Sequence, residues 1–342
     1  MAGTVARPKV YIDYISYFRA TGLGVDTNFG NSNINEDYSD IAIYNPSNTK
    51  TFTPVQENNF TNTEGVNLTN MYFRVGLGDG ASEQKKLISS MNWAGMFNHN
   101  YNSIDYQFGS VNMASQTGVG GGLGSGTFYG GGKNNIRLWS FDENNWTDDT
   151  AYGVVLIIGT HSQATPFKLG SFVTGRSFTF PHNANLSMNI NNETNIRKTR
   201  TLGGSDIVDI NYYRQPLWNG YPPFVATNEP SLSATSSIGR RSWALTFSFL
   251  TQDSTFPQDM GEGFMFDNNI TDDGVNTWTN WTTENITSHF MTLTLNGQLP
   301  FLFQPDDTKD VYAWCRLKSN TFSVQQSAPN LYTSKMTFEE VW

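Results

Sequence analysis

Apolar and polar residues alternate along several stretches of this chain, as they do in strands that bury one face. Trp243, Leu245, Phe247 and Phe249 share one face, with Ser242, Thr246 and Ser248 on the other. Met291, Leu293 and Leu295 alternate with Thr292, Thr294 and Asn296, and Asn296-Gly297 then supplies a turn pair. Leu186, Met188 and Ile190 alternate with Ser187 and Asn189, and Tyr332, Met336 and Phe338 stand against Thr333, Lys335, Thr337 and Glu339. From Val311 to Leu317 both faces carry bulk: Val311, Ala313, Cys315 and Leu317 on one, Tyr312 and Trp314 on the other. A strand of that kind is expected to be central or to face a second layer. Helical spacing is confined to Ser82 to about Phe97, where Leu87, Ile88, Met91 and Ala94 recur at helical intervals. The expectation is an all-β chain of β-sandwich or barrel-like domains with at most one or two short helices.

Composition supports this reading. Charged residues are only 15% of the 342, against a usual share of about 25%. Asn, Thr, Ser and Gly must then supply the polar surface, and these favour turns and strands over helices. The length implies about two domains. A Gly-rich stretch, 118–132, reads as a loop, either mobile or fitted between subunits, where glycine lets backbones approach. The division is placed near Gly159: an N-terminal β-rich domain over 1–159 and a C-terminal β-sandwich-like domain over 160–342. The net charge of −9 argues against nucleic acid as a partner, since phosphate binding calls for a basic patch. The densest cations are Arg197, Lys198 and Arg200, and the pair Arg240 and Arg241. Met1 to Val10 has no apolar signal-peptide region. The longest apolar run, Val154 to Ile158, is too short for a membrane helix. Synthesis in the cytoplasm and no membrane insertion are expected.

The reactive motifs are incomplete. A lone cysteine, Cys315, allows no intramolecular disulfide and no cysteine-type zinc site, and reads as a small buried apolar residue. Gly132-Lys133 is followed by Asn134, where a phosphate loop needs Ser or Thr. His161-Ser162 follows an apolar strand but lacks the G-x-S-x-G elbow. His99, His161, His182 and His289 show no metal-ligand spacing, and Asp272-Asp273-Gly274 does not complete a calcium loop. No catalytic residue, cofactor site or metal site is assigned, and the chain is expected not to be an enzyme.

Aromatic clusters remain. Trp278 with Trp281, Trp139 with Trp146, and Tyr212-Tyr213 with Trp218 and Tyr221 lie in turn-rich segments. Three readings stay open for them: core packing, anchors of a subunit interface, or a platform for sugar rings. Trp278 and Trp281 are the candidate glycan platform.

Three stretches resemble a known group when taken together. They are Leu169 to Met188, with Gly175-Arg176-Ser177-Phe178-Thr179-Phe180-Pro181-His182; Gly239 to Phe249; and Leu299 to Asp306 followed by Phe338-Glu339-Glu340-Val341-Trp342. In this order they are similar to virion structural proteins of marine and cyanobacterial tailed phages, of the tail-tip or baseplate class. The resemblance covers roughly the last half of the chain. It implies a virion location in the tail, with other copies of the chain and other tail proteins as partners. A host surface glycan is the alternative partner, in which case the chain is a carbohydrate- or receptor-binding tail protein. It carries no catalytic signature. The candidate interface residues are Arg240, Arg241, Trp218, Tyr221, Gly121 and Gly122.

Overall fold

The computed structural model describes residues 7–22, 25–31, 34–37, 71–77, 90–98, 103–111, 119–129, 136–140, 153–158, 170–184, 189–210, 239–255, 285–319 and 322–341. Strand β1 (Lys9–Asp13) runs into helix α1 (Tyr14–Thr21). Then come β2 (Val25–Asn31), β3 (Ile34–Asp37), β4 (Met71–Leu77), β5 (Trp93–Phe97), β6 (Ser103–Val111), β7 (Val119–Tyr129), β8 (Ile136–Ser140) and β9 (Gly153–Ile158). They are followed by β10 (Ser171–Thr179), β11 (Asn189–Glu193), β12 (Ile196–Arg200), β13 (Asp206–Ile210), β14 (Arg240–Thr251) and a single helical turn, α2 (Gln252–Thr255). A π-helical turn (Ile286–Met291) precedes β15 (Phe301–Gln304), β16 (Ala313–Leu317), β17 (Ser323–Ala328) and β18 (Leu331–Glu340). The chain is all-β, as its alternation implies.

Among the described residues the strands form three antiparallel sheets. The largest has ten strands in the order β11-β14-β18-β16-β15-β1-β10-β5-β8, with β17 also on β18. A six-stranded sheet runs β3-β2-β4-β9-β6-β7, and β12 and β13 form a hairpin of their own. The ten-stranded sheet draws β1, β5 and β8 from before residue 159 and its other strands from after it, so the boundary placed near Gly159 does not separate its strands.

The middle of the large sheet is buried on both faces. Val10 and Ile12 of β1 belong to a core with Phe178, Phe301, Phe303, Cys315, Trp243, Leu245 and Phe338. Tyr11, between them in sequence, points the other way, into a second cluster with Trp93, Phe97, Tyr312 and Trp314. Rings meet edge to face in both: Phe303 and Phe338 at 4.8 Å, Tyr11 and Trp93 at 5.3 Å, the arrangement that the ring quadrupole favours. The two-faced bulk expected of the segment from Val311 to Leu317 is found in β16, an inner strand between β15 and β18. Gly175 of β10 lies where β1 approaches so closely that a Cβ would overlap the Ile12 carbonyl oxygen.

Several local expectations are corrected. Over Ser82 to Phe97 the helix gives way to strand at Trp93–Phe97, which is β5, paired to β10 and β8; residues 82–89 lie outside the described set. The helix that does form before it, α1, is capped by Asp13 and closed by Gly22 in the left-handed conformation. Met291 to Leu295 is helical and turn structure instead of strand. Asn285 caps it, its side chain accepting from the Ser288 N–H at 2.7 Å. The Thr294 hydroxyl donates back to the Phe290 carbonyl at 2.6 Å, a local bond that competes with strand pairing. Asn296-Gly297 does form the turn. On β14 the alternation holds through Trp243, Leu245 and Phe247, then breaks at a bulge between Phe247 and Leu250. Phe249 takes a φ of 63° and is 75% exposed, while Leu250 is buried in its stead. The Gly-rich segment expected as a loop over 118–132 is largely strand: β7 pairs with β6 along Val119–Tyr129.

Candidate functional site

Arg240 and Arg241 open β14, where the ends of four strands bring charges together. Arg241 faces Glu340 of β18 across the sheet. Its Nη2 donates to Oε1 at 2.7 Å, its Nε to Oε2 at 3.1 Å, and its backbone N–H to Oε2 at 3.0 Å. Its guanidinium also lies over the Trp243 ring, 5.2 Å from the centroid. The Glu340 side chain is fully buried. Burial opposes the Arg241 charge, but the hydrogen bonds and charge of Glu340 outweigh it and hold the guanidinium more firmly protonated than usual. Around this fork, Arg316 Nε donates to Glu339 at 2.8 Å and Lys318 Nζ pairs with Glu193 at 2.5 Å. The outer pairs are exposed and contribute little. Cys315 lies buried beside the fork, and burial first, then the charge of Glu340, pushes its thiol well above the usual range. A thiol so placed is a packing group with no nucleophilic character. The pairing of Arg241 is therefore internal to the chain.

Among the other candidates, Gly121 and Gly122 belong to β7, the terminal strand of the six-stranded sheet. Gly122 pairs with Gly109, and Gly121 falls at a register shift. Trp218, Tyr221, Trp278 and Trp281 lie outside the described residues, as do His99 and His161. His289 is buried with its ring stacked on Phe178, and His182 meets the Asn183 carbonyl at 2.9 Å. Among the described residues no group of three or more His, Cys, Asp or Glu is placed to hold a metal, and no helix is long and apolar enough to cross a membrane.

Asp13 is the most perturbed carboxyl that the structure describes. Burial pushes it up to about 7, against the hydrogen bonds of Ser16 and Ile15 and the charge of Arg19. One oxygen accepts from the Ile15 N–H at 3.0 Å and the other from the Ser16 hydroxyl at 2.6 Å. Both oxygens cap α1, so the buried carboxyl serves a structural role.

The feature that sequence reasoning passed over is the β12–β13 hairpin. All five β12 residues are exposed, as are the first four of β13. Its register sets Arg197 against Asp209 and Arg200 against Asp206. Ile196, Ile207 and Val208 are about half exposed and Leu202, at the tip, wholly so. The tip is a built turn: the Thr201 N–H donates to the Ser205 carbonyl at 2.8 Å, and the Gly204 N–H to that of Thr201 at 3.0 Å. Gly203-Gly204 between a short basic run, Ile196 to Arg200, and a short run rich in Ile, Val and Asp, Asp206 to Ile210, was the available signal. In comparisons with known proteins, no family profile and no curated protein matches the chain.

Proposed function

We propose that the chain is a structural component of a tailed-phage virion, a tail or baseplate assembly protein that works through protein–protein interfaces and catalyses no reaction. The reading rests on one observation. The three stretches that resemble virion proteins fall on β10, β14, β15 and β18, and all four belong to the ten-stranded sheet. The resemblance thus follows a folded unit, the hydrophobic centre of the protein, where scattered likeness would not. An all-β scaffold suits repetition around a symmetry axis, since neighbouring copies can cover strand edges that would otherwise template aggregation. Location in the virion tail, and partnership with other copies and other tail proteins, belong to the same proposal. Negative-stain imaging of the purified chain, with mass spectrometry of purified virions, tests it. Regular assemblies and presence in the particle are expected. A strictly monomeric chain absent from particles overturns it.

A further inference from the structure

Building on that assembly reading, we infer that the β12–β13 hairpin is a coupling arm that adds edge to edge onto the same hairpin of a second copy, head to tail. Two strands alone make a marginal structure in water; a third strand or a packed layer is what stabilises them. Here both faces are open. Ile196, Lys198, Arg200, Asp206, Val208 and Ile210 share one face by register, and Arg197, Thr199, Ile207 and Asp209 the other. Exposed Ile196, Ile207 and Val208 are strand-forming residues with apolar area left to bury.

Charge identifies the occupant and the direction. β12 carries Arg197, Lys198 and Arg200, while β13 carries Asp206 and Asp209. Two β12 edges meeting about a two-fold axis would set three cations against three, and two β13 edges would set carboxylates together; like charges opposite one another on strands are destabilising. A β12 edge laid on the β13 edge of the next copy repeats the complementarity already present inside the hairpin. That contact is heterologous, so it builds a ring where the rotation closes and an open array where it does not. The hydrogen-bonded tip turn fixes the register of the two strands and leaves Leu202 exposed at the end of the arm.

Light scattering and sedimentation of the full-length chain test this with two variants. In the first, residues 196–210 are replaced by a short Gly-Ser linker. In the second, Arg197→Asp, Arg200→Asp, Asp206→Arg and Asp209→Arg are combined, which keeps every cross-strand pair but exchanges the two edges. The wild type is expected to form oligomers that dissociate towards monomer near 1 M salt, where screening shortens to about 3 Å. The linker variant is expected to stay monomeric and to keep the circular dichroism of a folded β protein, less the contribution of the two deleted strands. The exchanged variant is expected to assemble with itself and to be excluded from assemblies of labelled wild type. A linker variant that assembles like the wild type, or an exchanged variant that mixes freely with it, overturns the arm and leaves the broader assembly reading standing. A wild type that is monomeric throughout overturns both. Where the linker variant fails to fold, the mixing result decides.

Discussion

Asp13 shows how one buried side chain sets a property that the whole fold feels. Its carboxyl titrates near 7 in the folded chain because burial penalises the charge, whereas in the unfolded chain it titrates near the ordinary value. The folded state therefore holds the proton more tightly. This contribution to stability is complete below about pH 4 and is lost as pH rises through about 7, a change on the order of 4 kcal/mol. Asp13→Asn keeps a capping side chain and removes the ionisation. Melting temperature followed between about pH 5 and pH 8 is expected to fall less steeply in the variant than in the wild type; equal slopes would refute the assignment. The Arg241–Glu340 fork makes the opposite kind of demand. Arg241→Ala leaves a fully buried carboxylate without its guanidinium, a loss of roughly 3–5 kcal/mol when one partner of such a pair is removed. Urea titration measures it, and a loss below about 1 kcal/mol would place the pair among weak surface bridges. At Gly175 the constraint is space. Gly175→Ala drives a methyl into the Ile12 carbonyl, so β1 and β10 must separate, at a cost of at least about 2 kcal/mol in the same titration.

Elements follow their own pattern only while no local bond offers the backbone something better. β14 illustrates both outcomes. Trp243, Leu245 and Phe247 were legible as an inward face, but the bulge that turns Phe249 outward was not, because a bulge is decided by pairing with β18, 331–340, far along the chain. Phe249 holds a left-handed conformation that costs a residue with a Cβ about 1–2 kcal/mol. Phe249→Gly is accordingly expected to be neutral or to stabilise by up to about 1 kcal/mol, read as a shifted urea midpoint at constant slope. A clear destabilisation would mean that the exposed ring is packed against something in solution. The segment from Met291 to Leu295 alternates like a strand, yet Ile286, Phe290, Met291 and Leu293 also suit a helical face. The Asn285 cap and the Thr294 back-bond settle the matter. β7 escaped notice because glycine has no side chain to alternate. Of the candidate site, the cations at 197–200 and 240–241 were visible as composition. Their partners were not: Glu340 lies 99 residues from Arg241, and no spacing rule connects the two.

For the molecule as a whole, sheet order matters more than sequence order. The exposed hairpin holds Arg197, Lys198 and Arg200, so trypsin is expected to cut there while the core resists. Such a nick leaves β1 and β10 on one fragment and β14, β15 and β18 on the other. The fragments are expected to co-migrate under native conditions, because β1 pairs with β15 and β11 with β14 across the cut. Fragments that part without denaturant would show that these two seams are too weak to hold the sheet. The place of β1 has one more consequence. Ile12 is registered beside Phe301 on one side and Arg176 on the other. During synthesis the second flank of this strand stays unmet until almost three hundred further residues have left the ribosome. Pairings so distant in sequence slow folding and leave apolar edges open meanwhile. The protein is thus one whose central strand waits on distant residues for its second partner, and whose yield in a cell depends on what shelters that strand meanwhile.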